Sequence, residues 1–114
     1  MNKIQLTARF KIHAGKLDAF KKLAGACMST TKEKDKGVLQ YDWFFSDDQS
    51  ECIVRETYKD SAAVLNHVTI LGDLLGQTMA LADFSAEGYG NMSEELKNAF
   101  GGMGVKMYSY YQGL

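Results

Sequence analysis

Residues 51–67, ECIVRETYKDSAAVLNH, constrain the fold most, because a strand pattern changes there into a helix pattern within a few positions. Polar and apolar side chains alternate in the first half, which is the two-residue period of a β-strand. A polar break follows, where Asp60 or Ser61 can accept a backbone N–H of a first helical turn. Three side chains of this stretch can then line one pocket between sheet and helix: Glu56, Tyr58 and His67.

The same two periods assign the rest of the chain. Strict alternation near the N-terminus predicts a strand with one core face, and apolar residues three and four positions apart predict an amphipathic helix after it. Gly72 predicts a break between two helical pieces, and Ser93 is a predicted N-cap. The predicted strands are residues 3–13, 38–46, 51–59, 84–91 and 105–112; the predicted helices are residues 16–33, from Ser61 to a break at 71–73, 74–81, and from Ser93 to Gly101–Gly102.

This order is β-α-β-β-α-β with a C-terminal α-β appendix, and it predicts a single domain over residues 1–114. The fold class is α+β: a ferredoxin-like antiparallel sheet with its helices on one face. The second strand carries apolar groups on both sides, with Leu39, Tyr41, Trp43 and Phe45 on one and Val38 and Phe44 on the other. A second copy of the chain can cover the face that the helices leave open, so we predict a homodimer with sheets face to face.

Composition argues against several classes of partner and indicates a cellular compartment. A net charge of −1 gives no basic field for nucleic acid, and the apolar runs are shorter than a membrane span. The alternating-sign segment 32–36 is predicted to be a solvated loop. Cys27 and Cys52 show neither disulfide nor zinc spacing, and His13 and His67 lack neighbouring ligands, so no metal site is predicted. Buried free thiols fit a cytoplasmic protein.

Several segments resemble the antibiotic biosynthesis monooxygenase family of dimeric α+β barrels, including quinol monooxygenase-like members. The segments are ARFKIHAGKLDAFKKLA, GVLQYDWFF and VRETYKDSAAVLNHV. The family's strand-to-helix signature corresponds here to Glu56, Tyr58, Asp60, Ala62, Ala63 and His67, and further matches are Gly15, Lys16, Gly37, Tyr41 and Trp43. The C-terminal segment resembles a branch with an extra helix and strand.

The resemblance implies a small pocket in each subunit. For many members it also implies oxidation of quinol- or anthrone-like aromatics by O₂ without flavin, haem or metal. The residues to which it assigns this chemistry are His67 and Tyr58 as catalytic groups, and Trp43, Tyr41, Glu56 and Phe20 as binding groups for a small aromatic or apolar metabolite. Two positions depart from family patterns: Tyr58 stands where Trp is usual, and Ala8 where haem-degrading relatives carry Asn, which disfavours haem degradation.

The candidate site residues could also have purely structural roles. His67 could be held by a neighbouring backbone group or by Glu56, and Glu56 could pair with Arg9 or Arg55. The aromatic residues could serve as core or dimer-interface packing. Two other functions therefore remain open: a dimer that binds a small molecule without chemistry, and an isomerase of a small metabolite.

Overall fold

The computed structural model describes residues 2–114. The strands are β1 (Ile4–Ile12), β2 (Val38–Phe45), β3 (Glu51–Tyr58), β4 (Ala82–Tyr89) and β5 (Lys106–Tyr108). The helices are α1 (Leu17–Lys34), α2 (Ser61–Leu71), α3 (Asp73–Met79) and α4 (Glu94–Met103). The sheet order is β2-β3-β1-β4-β5, so the predicted ferredoxin-like α+β class and the element order are confirmed.

The predicted helix boundaries follow local signals. Asp60 caps α2 by accepting the N–H of Ala63 at 2.8 Å, and Ser93 caps α4 by accepting the N–H of Leu96 at 3.1 Å. Gly72 has a φ of 51° and separates α2 from α3, because this backbone conformation costs glycine little. None of the helices among residues 2–114 is both long and apolar enough to cross a membrane.

The four core strands pair antiparallel as predicted, and the C-terminal appendix adds a parallel edge. β5 runs parallel to β4 because α4 carries the chain back along the sheet before β5 begins beside Glu87. The predicted last strand, 105–112, is too long. β5 spans three residues and pairs only with the last three of β4, after which Gly90 turns that chain away with a φ of 132°.

The core lies between the sheet and the helices. Alternate residues of β1 and β3, such as Phe10 and Val54, are buried against Phe20 of α1, Val64 of α2 and Leu96 of α4. On the opposite face of the sheet Arg9 reaches Glu87 at 3.8 Å in a largely polar surface. The helices therefore cover one face, as the sequence predicts.

The apolar residues of β2 are divided between the faces differently from the prediction. Tyr41, Trp43 and Phe45 face the helices, whereas Leu39 and Phe44 are each 54% exposed. Leu39 leaves the expected alternation because the β2–β3 register shifts between Val38 and Gln40. The homodimer stays a prediction.

Candidate functional site

A partly open cavity of about 60 Å³ lies between the inner face of the sheet and all four helices. Its wall is mostly apolar, and at a liquid volume of about 30 Å³ per water it has room for about two water molecules. Five of the six predicted site residues border it: Tyr41, Trp43, Glu56, Tyr58 and His67. Phe20, the sixth, is fully buried beside Trp43 and Phe45 and does not line the cavity.

Glu56 and Tyr58 lie two residues apart on β3 and therefore project from the same face. The Tyr58 hydroxyl donates a hydrogen bond to Oε1 of Glu56. Burial raises the pKa of Glu56 to about 7, and the hydrogen bond from Tyr58 partly offsets that rise. Although Glu56 keeps some exposed surface where it borders the cavity, its carboxyl group is close to half protonated at neutral pH.

Neither of the two arginines considered as partners of Glu56 pairs with it in the structure. Strand alternation places Arg9 and Arg55 on the other face of the sheet from Glu56. Arg9 pairs there with Glu87, and Arg55 is exposed. Within residues 2–114 the carboxyl group of Glu56 thus has no ion-pair partner, and Tyr58 is its hydrogen-bond partner.

His67 on α2 pairs with Asp35 and not with Glu56 or a backbone group. Its Nδ1 lies 3.0 Å from Oδ2 of Asp35, whose side chain is 0% exposed. Asp35 is the residue that ends α1, and its Oδ1 accepts the N–H of Gly37 at 3.2 Å. The four residues Asp35, Glu56, Tyr58 and His67 are referred to below as the polar cluster.

Burial and Asp35 act in opposite directions on His67. Burial lowers the pKa of His67, and the adjacent Asp35 carboxylate offsets part of that fall. The rings of Tyr41 and Tyr58 approach the imidazole with centroid distances of 5.0 and 5.3 Å. A lowered pKa means that the imidazole is neutral at neutral pH, which is the form that can accept a proton.

The tyrosines of the site are neutral donors. Burial and the nearby charge of Glu56 raise the pKa of Tyr58 well above its ordinary value, and the same two causes raise the pKa of Tyr41. Trp43 packs edge-on to Tyr41 at 5.7 Å, and its buried Nε1 has no hydrogen-bond partner among residues 2–114. This part of the wall therefore supplies O–H and N–H groups and no acceptor with a negative charge.

The pattern of residues 51–67 predicts the part of the site on β3 and α2 but not Asp35. Segment 32–36 is predicted to be solvated, yet Asp35, its fourth residue, is buried. The chain passes under α2 at this point: a Cβ on Gly37 would lie 2.8 Å from Cβ of Ala63. A glycine two residues after an acidic residue at a helix end was the one available indication of such a close approach.

The thiols and metal-ligating groups do not form a centre. Cys27 and Cys52 are free and buried, and burial raises the pKa of both. Within residues 2–114 no group of three or more His, Cys, Asp or Glu side chains is arranged to hold a metal ion.

A small α+β sandwich with a polar cluster beside an apolar cavity defines the class of protein. The family model for antibiotic biosynthesis monooxygenases matches residues 4–69, so the chain belongs to the antibiotic biosynthesis monooxygenase family. The match runs from the start of β1 into α2 and includes the whole polar cluster. No curated protein matches the sequence significantly.

Solved structures show the same fold. MupZ from Pseudomonas fluorescens is 21% identical with a TM-score of 0.84, and the alignment covers 100% of this chain and 94% of MupZ. Rv0793 from Mycobacterium tuberculosis is 21% identical with a TM-score of 0.70, over 81% of this chain and 97% of Rv0793. A conserved protein from Methanosarcina mazei is 16% identical with a TM-score of 0.70, over 78% and 92% of the two chains.

Proposed function

We propose that the protein is a cofactor-independent monooxygenase that oxidises a small, electron-rich aromatic substrate of the quinol or anthrone type with O₂. One observation carries the proposal: a neutral imidazole and a protonatable carboxyl group border the same apolar cavity. Family membership supports it. Such chemistry needs a base, hydrogen bonds for the resulting anion and exclusion of water.

In the proposed reaction His67 takes a proton from a phenol O–H or an activated C–H. The protonated form of Glu56, whose Oε1 accepts the Tyr58 hydroxyl, donates a hydrogen bond to the oxyanion that results. The anion supplies the electrons that reduce O₂. For a methylene group oxidised to a carbonyl, one oxygen atom becomes the carbonyl oxygen, and the other leaves as water with the two hydrogens of the methylene group.

The cavity limits the size of the substrate. A volume of about 60 Å³ is smaller than even one aromatic ring requires, since a cavity of about 150 Å³ is the size that holds benzene. Any aromatic substrate therefore needs a shift of the wall, and a three-ring anthrone needs a larger one; the break at Gly72 between α2 and α3 is a place where the helices can separate. We expect single-ring quinols to be oxidised faster than anthrones for this reason.

Oxygen consumption by metal-stripped protein with a panel of hydroquinones and anthrones tests the proposal. Wild type should accelerate uptake and form a hydroxylated quinone, with one oxygen atom of O₂ bound to the ring and the other released as water, and His67→Ala should lower the rate at least about 100-fold. His13→Ala is the matched control, because His13 is the other histidine and pairs with Asp83 away from the cavity. A wild-type protein that accelerates uptake with no member of the panel contradicts the proposal.

A second candidate function is an isomerase of a small metabolite. It is favoured by the presence of a base and an acid in one site. Near pH 7 the neutral imidazole of His67 can remove a proton and the protonated carboxyl group of Glu56 can return one. This reaction needs no oxygen. Turnover of an enolisable ketone in anaerobic buffer, with uptake of solvent deuterium, would favour it over the oxygenase. Saturable binding of an unchanged ligand, with affinity retained in His67→Ala, would instead favour a binding dimer.

The homodimer and the cytoplasmic location belong to the proposal as well. Leu39 and Phe44 are exposed on β2, the edge strand of the sheet, and an exposed apolar pair there suits contact with a second copy. Sedimentation equilibrium at micromolar concentration should give twice the chain mass. A monomer under those conditions would contradict the dimer.

A further inference from the structure

Asp35 is a buried carboxylate whose hydrogen-bond partners are unusually well defined. Its two oxygens are divided: Oδ1 accepts the Gly37 N–H at 3.2 Å, and Oδ2 lies 3.0 Å from Nδ1 of His67. Removing a carboxylate from water costs free energy that a contact between α1 and α2 alone does not require, since apolar side chains would join the helices as well. A role in orienting the His67 imidazole explains the buried charge of Asp35 better than helix packing does.

An ionised carboxylate only accepts hydrogen bonds, so Nδ1 of His67 must donate to it. A neutral imidazole that carries its proton on Nδ1 has an unprotonated Nε2. Among residues 2–114, Nε2 has no hydrogen-bond partner, and His67 borders the cavity. Hence the lone pair that can take a proton belongs to the ring nitrogen that Asp35 does not contact.

We propose that Asp35 is a positioning residue that holds His67 in the Nδ1–H tautomer and keeps Nε2 free to accept a proton in the cavity. The geometry of the pair stands by itself, and only the use of the lone pair in catalysis rests on the proposed function. Asp35 does not line the cavity and acts through His67.

Asp35, and not another group around His67, fixes the tautomer of the imidazole. Tyr41 of β2 and Tyr58 of β3 face the ring, and both are neutral because their pKa values are raised. Glu56 is hydrogen-bonded to Tyr58. Asp35 is therefore the carboxylate in direct contact with the imidazole, and its charge raises the pKa of His67 against the effect of burial.

Asp35→Asn reverses the tautomer, and the reason lies in the Gly37 N–H. The amide oxygen has to stay on that N–H, because an NH₂ group there would place two donors face to face. The NH₂ group then points at Nδ1 of His67, which must accept. The proton consequently moves to Nε2, and the base is lost while the shape of the side chain is kept.

Nitrogen-15 NMR of histidine-labelled protein tests the proposal without any substrate. The chain has two histidines, so His13→Gln assigns the spectrum. Wild type should show protonated Nδ1 and unprotonated Nε2 at His67, and Asp35→Asn should show the opposite. Asp60→Asn is the control: Asp60 caps α2 without touching His67, so the tautomer should stay as in wild type.

Two results overturn the proposal: Nε2–H at His67 in wild type, or an unchanged tautomer in folded Asp35→Asn. The wild-type spectrum decides even if the variant does not fold. With a substrate in hand, Asp35→Asn should lower kcat about 100-fold and change KM less than about threefold. Correct tautomers without oxygen uptake would overturn the oxygenase and leave the positioning role intact.

Discussion

The polar cluster and the C-terminal wall of the cavity come from different parts of the chain. The polar cluster lies within residues 4–69, the segment that the family model matches. The C-terminal wall, defined as Phe100, Met103 and Val105, lies beyond it and brings only apolar groups to the cavity. The groups that can move protons thus come from the matched segment, whereas the C-terminal wall contributes only to the shape of the space. We expect the first region to govern rate and the second to govern which substrate fits.

The largest expected effect on activity comes from a change in the polar cluster. His67→Ala removes the proposed base and should lower kcat by about 10² to 10⁴ with little change in KM. Phe100→Leu, in the C-terminal wall, should change KM more than kcat. Steady-state kinetics on the best quinol measures both variants, and equal kcat losses in the two would mean that the regions do not divide rate from fit.

A second experiment concerns the pH dependence of stability. Glu56 has a folded pKa of about 7 against an ordinary 4.5, so the folded state holds its proton longer and stability falls as pH rises from about 4.5 to 7. The fall is at most about 3 kcal/mol. His67 contributes the opposite slope below pH 6.5, because its folded pKa is lowered.

Glu56→Gln isolates the carboxyl group from the imidazole. Urea unfolding of wild type and Glu56→Gln between pH 5 and 8 should show the variant gaining on wild type as pH rises, since the amide does not titrate. A constant difference between the two proteins over that range would mean that the Glu56 pKa is not raised.

A third experiment tests how closely the polar cluster is held. Gly37→Ala places a methyl group 2.8 Å from Cβ of Ala63 and should cost about 1–3 kcal/mol of unfolding free energy through overpacking. Adding Ala63→Gly removes the clashing atom and should recover part of the loss, although glycine in a helix costs about 1 kcal/mol. Additive losses in the double variant would exclude this contact as the cause.

The smallest effect belongs to the C-terminal wall. Met103→Ala enlarges the cavity and should raise kcat/KM for bulkier quinols, relative to the smallest one, by about tenfold. Met107→Ala is the control, because Met107 is exposed on β5 and does not line the cavity. An unchanged preference in Met103→Ala would show that this wall does not limit the substrate.

Periodicity predicted the parts of the site that lie on one face of a strand or near a helix cap. The alternation in β3 places Glu56 and Tyr58 together, and the break after it leads to His67 on α2. The burial of Asp35 could not be predicted, because a run of alternating charges has no period that distinguishes a buried residue from the exposed ones. Whether such a charge is solvated depends on α2, which comes later in the chain and packs over it.

Two other features also depend on tertiary structure. Phe20 falls on the apolar stripe of α1, but a stripe does not distinguish the core behind a cavity from the cavity wall. The length of β5 depends on how much of β4 is left to pair with, because Gly90 ends β4 opposite the end of β5. The local pattern of residues 105–112 does not carry that information.

The close approach at Gly37 has a consequence for tracing this site through evolution. A side chain larger than hydrogen there would push α2 away and lengthen the contact between Asp35 and His67. The pair should therefore be inherited with the glycine. Chains that carry Asp-x-Gly where the first helix ends, and His 32 positions after that Asp, are the ones in which to look for the same proton-transfer site. A lineage that has replaced the glycine should have lost the pair or found another base.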